Sequence, residues 1–127
     1  MTYFHARTIP GDFDAVLERT RAALQKHGFG VLTEIDVQAT LKAKIDVDFR
    51  PYRILGACNP VMAHEALKME SHVGVMLPCN VVVQQAEDGV EVFAVDPAAS
   101  MQSIDNADLL GHAQKVGEHL RAAVDEI

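Results

Sequence analysis

The sequence predicts an α+β domain, a two-layer sandwich in which one sheet of about five strands carries its long helices on one face. Three observations predict it. Strand-like and helix-like segments alternate along the chain, with no linker, repeat or low-complexity tract between them. The first and last helical segments each show a single apolar stripe of the width that covers a sheet. The 127 residues are 49% apolar, which suits a single domain over residues 1–127 built around its own core. A chain of this length buries roughly two thirds of its unfolded surface and needs no metal or disulfide staple.

Thr2 to Thr8 is expected to be the first strand. Pro10, Gly11 and Asp12 then open a helix, with Gly11 or Asp12 as N-cap and Asp14 and Glu18 near its positive end. Phe13, Val16, Leu17, Thr20, Ala23 and Leu24 share one face at helical spacing. Lys26, His27 and Gly28 end it, cations first and then a residue at ease in the left-handed conformation. Phe29 to Ile35 reads as the second strand. Strict alternation puts Phe29, Val31, Thr33 and Ile35 on one side, with Gly30, Leu32 and Glu34 on the other. Asp36 caps a short second helix whose Val37, Leu41 and Ile45 lie four apart.

Asp46 to Pro51 is a polar loop and Tyr52 to Cys58 a third strand. Asn59-Pro60 starts the third helix, because Asn caps and Pro is pre-set for the first helical position. That helix runs to about Glu70 and turns Met62, Ala63, Ala66 and Leu67 inward. Val73 to Gln85 reads as one long strand interrupted at Pro78, which implies an edge or a bulge because proline donates no ladder bond. Glu87-Asp88-Gly89 is a hairpin turn. In the returning strand Val90, Val92 and Ala94 alternate with Glu91 and Phe93. Ser103 or Asp105 is expected to cap the last helix, whose stripe is Leu109, Ala113, Val116, Leu120, Val124 and Ile127.

Eleven Lys and Arg face 18 Asp and Glu, a net charge of −7. That balance speaks against nucleic acid and against an anionic membrane, both of which want a basic face. Val73 to Val83, the longest nearly apolar run, is about half a membrane span and contains Pro78 and Asn80. The N-terminus shows no positive flank with an apolar stretch behind it, so no signal peptide is expected. With two cysteines, the expectation is a cytoplasmic protein with reduced thiols.

Two segments stand out: Leu55-Gly56-Ala57-Cys58-Asn59-Pro60 and Leu77-Pro78-Cys79-Asn80-Val81-Val82-Val83. Together with Gly28-Phe29-Gly30-Val31-Leu32-Thr33-Glu34-Ile35-Asp36 they resemble the family known as domain of unknown function 302, from the first helix to the last hairpin. The resemblance implies a two-layer α+β domain, often homodimeric, and no established reaction. It also implies that the cysteines mark one branch of the family. A homodimer is therefore expected, and an apolar second sheet face together with a strand edge near Val73 to Val83 would favour it.

Any chemistry should sit where the two segments meet. Cys58 precedes a helix N-cap, where unpaired N–H groups and the helix dipole favour thiolate. Cys79 follows a proline that disturbs its strand, and the separation is 79 − 58 = 21 positions with one helix between. The functional expectation is a thiol-based redox or sulfur-handling protein, with Cys58 as activated sulfur and Cys79 as resolving partner. The alternative is a non-catalytic homodimeric module for a small ligand, both cysteines being packed as small hydrophobes. Asn59 and Asn80, beside the two cysteines, are candidate ligand contacts. So are Arg50 and Arg53, whose guanidiniums beside Phe49 and Tyr52 suit a carboxylate, phosphate or planar ligand, with the third helix's N-terminus adding donors. The bland reading is that Asp46, Asp48, Arg50 and Arg53 neutralise one another. No metal site is expected, since paired-ligand spacings are missing and His64, His112 and His119 read as surface residues. No cofactor is indicated.

Overall fold

The computed structural model describes residues 2–127. Strand β1 (Phe4–Ile9) leads into helix α1 (Phe13–Lys26), then β2 (Gly30–Asp36), α2 (Val37–Ile45), β3 (Tyr52–Cys58) and α3 (Pro60–Met69). A 3₁₀ turn (Ser71–Met76) precedes the hairpin β4 (Cys79–Ala86) and β5 (Gly89–Val95); a short α4 (Pro97–Ser100) and the long α5 (Ala107–Asp125) complete the chain. The five strands form one sheet in the order β1-β5-β4-β3-β2, every neighbouring pair antiparallel. This is the α+β architecture expected from the sequence.

Helices α1 and α5 cover one face. The main core joins Leu55, Val81, Val83, Val92 and Ala94 of the sheet to Val16, Leu17 and Leu24 of α1 and Leu120 and Val124 of α5. A smaller core of Ala66, Val73, Met101, Leu109 and Ala113 joins α3, the 3₁₀ turn and the start of α5. Thr20, the one buried polar residue among the described residues, turns its hydroxyl onto the Val16 carbonyl at 2.8 Å.

Register explains how the covered face tapers into polar edges. One cross-strand row reads His5, Ala94, Val81, Leu55, Glu34, and the next reads Arg7, Val92, Val83, Arg53, Asp36. The central members are apolar and the outer ones charged, which blunts the two edge strands. Arg21 of α1 and Arg53 both grip Glu34, holding its carboxyl below the usual range, with the Arg21 hydrogen bond as the main cause. At the other edge Arg7 donates to the carbonyls of Val124, Asp125 and Ile127 at 3.3, 2.8 and 3.0 Å. A guanidinium thus gathers carbonyls at the end of α5, where the helix runs out of N–H donors, and joins the Ile127 N–H on the Val124 carbonyl.

Five local expectations need correction. The segment from Val73 to Met76 is 3₁₀ helix, which buries Val73 and leaves Val75 in solvent. Its apolar run was too short for periodicity to separate turn from strand. Strand β4 begins only at Cys79, beyond the cis Leu77–Pro78 peptide, and is paired on both sides, so it offers no edge. In β2 a bulge between Val31 and Thr33 reverses the alternation: Val31 stands opposite Ala57 on the helix side, Thr33 opposite Gly56 on the other. Asn106, not Ser103 or Asp105, caps α5 by accepting from Leu109 N, and Asp96-Pro97 starts the unforeseen α4 in the same Asx-Pro manner as Asn59-Pro60. Helix α2 buries none of its residues fully, and Ile45 of its stripe is exposed.

The Arg7 contact yields a stability prediction. Arg7→Ala should lower the unfolding free energy by about 1–2 kcal/mol, seen as a lower urea midpoint at unchanged slope. A loss under about 0.3 kcal/mol would mean that water serves these carbonyls equally well.

Candidate functional site

Where β3 ends and β4 begins, the sheet, α3 and α5 line a partly open chamber of about 320 Å³. Its position follows from local signals. Asn59 ends β3 and caps α3, its Oδ1 accepting from Met62 N at 3.1 Å, with Pro60 in the first turn. The helix then turns Met62, Ala63 and Ala66 onto the chamber. From α5 come His112, Ala113 and Val116, and from the neighbouring strand start come Leu77, Pro78 and Cys79. Exposed Leu32, at the β2 bulge, stands at its border. The wall is overwhelmingly carbon.

Close backbone approaches hold this end together. A Cβ on Gly56 would lie 2.1 Å from Thr33 Oγ1 and 2.7 Å from Pro78 Cγ. Both side chains therefore rest on a bare Cα. Gly28 closes α1 at φ +88°, where a Cβ would lie 2.9 Å from Asn59 Nδ2. The three sequence segments singled out above converge here for a packing reason.

Cys58 and Cys79 are both free thiols that line the chamber, Cys79 buried and Cys58 half-buried. Cys79 is paired in the ladder with Ala57, so Cys58, the next residue along β3, alternates onto the opposite face of the sheet. Burial, with a smaller contribution from the Cys58 charge, pushes the Cys79 thiol up to about 11. At neutral pH this sulfur is a neutral thiol, whereas nucleophilic attack needs thiolate. Asn59 joins the site as a cap. Asn80 does not: it is exposed, opposite Gly56, on the sheet face away from α1 and α5.

The proposed grouping of Arg50 and Arg53 with the α3 N-terminus also needs correction. Cys58 lies five positions after Arg53 along β3, roughly 17 Å at strand rise. Arg53 bonds Glu34 and Asp36, the latter at 3.1 Å. Arg50 donates to Gln84 at 2.9 Å and lies over the Phe49 ring at 4.4 Å. Asp46 and Asp48 pair with Lys42 instead of with these arginines.

His112 is the residue the sequence reading misplaced. Instead of facing solvent it lines the chamber, its Nε2 donating to the Met62 carbonyl at 2.8 Å. Its spacing was a usable signal, three residues after Leu109 and four before Val116 on a helix stripe. His64 and His119 are exposed as expected. Among the described residues no group of three or more His, Cys, Asp or Glu is placed to hold a metal ion.

The family model described as "Domain of unknown function DUF302" matches residues 5–127. The chain belongs to the DUF302 family. A crystal structure of an uncharacterized conserved DUF302 protein from Bacillus stearothermophilus is similar over 98% of both chains, with 28% sequence identity and a TM-score of 0.93. No curated protein matches. The DUF302 fold therefore accounts for the whole sheet and its helices, and leaves the chemistry of the chamber to be read from its own residues.

The position of Cys79 predicts an alkaline stability step. Its folded pKa lies above the ordinary value of 9.0, so the associated stability is complete below pH 9 and is lost as pH rises toward about 11. Between about pH 9 and about pH 11 the wild type should lose roughly 2 kcal/mol more than Cys79→Ala, measured by denaturant titration. Parallel losses in the two proteins would show that this thiol ionises freely in the folded state.

Proposed function

We propose that this DUF302 protein is a non-catalytic binding module that holds a small, uncharged, largely apolar molecule in the chamber between α3, α5 and the sheet. The carbon-lined chamber of about 320 Å³ carries this reading. Ligand pockets are concave and mainly apolar, with a few polar groups that orient the guest. Here those groups are the Cys79 thiol and the His112 imidazole. A charged ligand would lose its hydration without gaining a counter-charge, because the nearby arginines are at the other end of β3. The raised Cys79 proton affinity favours a binding wall over a thiol pair cycling at neutral pH.

The same reading includes a homodimer formed through the sheet face that α1 and α5 leave uncovered. Phe4, Phe93 and Tyr52 form an aromatic run there, with ring centroids 5.9 and 6.4 Å apart, and Tyr3 and Phe4 are exposed. Such a surface is suited to a two-fold partner. Two free thiols fit a reducing, cytoplasmic compartment. No helix is long and apolar enough to cross a membrane, among the described residues.

An uncharged fluorescent probe, N-phenyl-1-naphthylamine, tests the chamber. Binding should shift the methyl resonances of Met62 and Met101, which line it. Ala63→Phe, at a half-buried chamber position, should weaken binding by about tenfold or more while the circular dichroism spectrum is unchanged. Equal affinity in the folded variant would overturn the reading. Light scattering should give twice the 13.9 kDa chain mass, returning to one chain mass in Phe93→Glu.

A further inference from the structure

The chamber is also the seam between the two cores. Phe29, Ala57, Cys79 and Val116 of its wall belong to the main core, whereas Ala66, Met101 and Ala113 belong to the smaller one. The apolar interior is interrupted there, with carbon on both sides of the gap. The gap also runs from solvent inward: of the residues that line it, Leu32 is 69% exposed and Met101 only 4%.

Leu32 owes its place to the bulge in β2. Val31 pairs with Ala57 and Thr33 with Gly56, so Leu32 is the extra residue and has no partner across the ladder. Bulges re-aim side chains, and this one sets a large apolar side chain at the mouth of an apolar space. Leu67 of α3, also exposed, lines the same chamber.

This arrangement restricts the guest. Among the described residues that line the chamber none is Asp, Glu, Lys or Arg, so a charged group inside would have no counter-charge. A compact guest held deep in the gap would leave Leu32 in water, whereas a chain that reaches the mouth covers it. Met62 and Met101 are adaptable side chains that can follow a flexible guest. We propose that the chamber takes a neutral single-chain amphiphile of the medium-chain alcohol class. Its alkyl chain lies in the seam between the two cores, its hydroxyl end emerges at Leu32 and Leu67, and Leu32 sets the chain length. The inference rests on the chamber being a binding pocket and names the class of guest.

Primary alcohols from 1-hexanol to 1-decanol are the test probes, titrated calorimetrically into the wild-type protein. Each added methylene should tighten binding about fourfold until the chain reaches the mouth. The methyl resonances of Met62 and Met101 should move, and those of Met69 and Met76, which are not part of the wall, should stay in place. Saturating 1-decanol should raise the urea midpoint, because the guest joins two cores that the free protein keeps apart. Leu32→Ser, at an exposed position, should weaken 1-decanol about fourfold or more and leave 1-hexanol within twofold, with an unchanged circular dichroism spectrum. Decanoate should bind more weakly than 1-decanol, since its carboxylate meets an apolar mouth. Affinity independent of chain length, no selective loss of 1-decanol in Leu32→Ser, or decanoate binding as tightly as 1-decanol would each overturn the proposal. Competition separates it from the pocket reading. If N-phenyl-1-naphthylamine binds but the alcohols show no dependence on length, the chain site fails and the pocket stands. If the alcohols bind without displacing that probe or moving Met62 and Met101, or if nothing binds, both fail.

Discussion

The working end of the sheet depends on one close approach, the seating of Thr33 and the Pro78 ring on the bare Cα of Gly56. A methyl group there would overlap both neighbours, and a proline ring has little freedom to yield. The contact ties β2, β3 and the chain just before β4 into one rigid unit. Beside it, Gly28 lets Asn59 come close, so the end of α1 and the start of α3 are set together. With those two contacts made, α3 departs at a fixed point from β3. The chamber is the space between that helix, α5 and the start of β4.

Polarity is sorted around this frame with little waste. Across the helix-facing side, apolar centres give way to His5 and Arg7 at one edge and to Glu34 and Asp36 at the other. These groups tie the edges to the helices, Arg7 to the end of α5 and Glu34 to Arg21 of α1. Surface ion pairs of this kind contribute little each, but Arg7 also meets the Asp125 and Ile127 carbonyls past the reach of the helix's own donors. Among the described residues no buried side-chain nitrogen or oxygen lacks a partner. The chamber is consequently not the result of an orphaned polar group. It is a space left by packing short residues, Ala57, Ala63, Ala66 and Ala113, where four elements meet.

The same packing sets the character of the thiols. Cysteine beside a helix N-terminus is a common starting point for reactivity, while cysteine walled in by carbon is held neutral. Cys79 belongs to the second kind because β4 is central and its helix-facing side is covered. A fold shared across DUF302 proteins does not choose between these outcomes; the local environment does.

The sequence by itself determined the element order, the fold class and most helix boundaries, because these rest on short-range physics. Asn59-Pro60, Asp36 and the Lys26-His27-Gly28 stop work through neighbours three or four residues away. Periodicity likewise identified the covered faces of α1 and α5. It also brought Cys58 and Cys79 under suspicion together, from a helix start and a strand start that are both marked by proline. Other features were settled only by the tertiary structure. The bulge at Leu32 exchanges the sides of β2 because its partner's register, not its own composition, sets the pairing. Val73 coils into a turn because a second small core receives it. His112 turns inward because α3 offers a carbonyl at Met62, and Arg53 is satisfied at the far end of β3 because Glu34 and Asp36 lie beside it. A cavity has no residue of its own, so only the packing of four distant segments could reveal it.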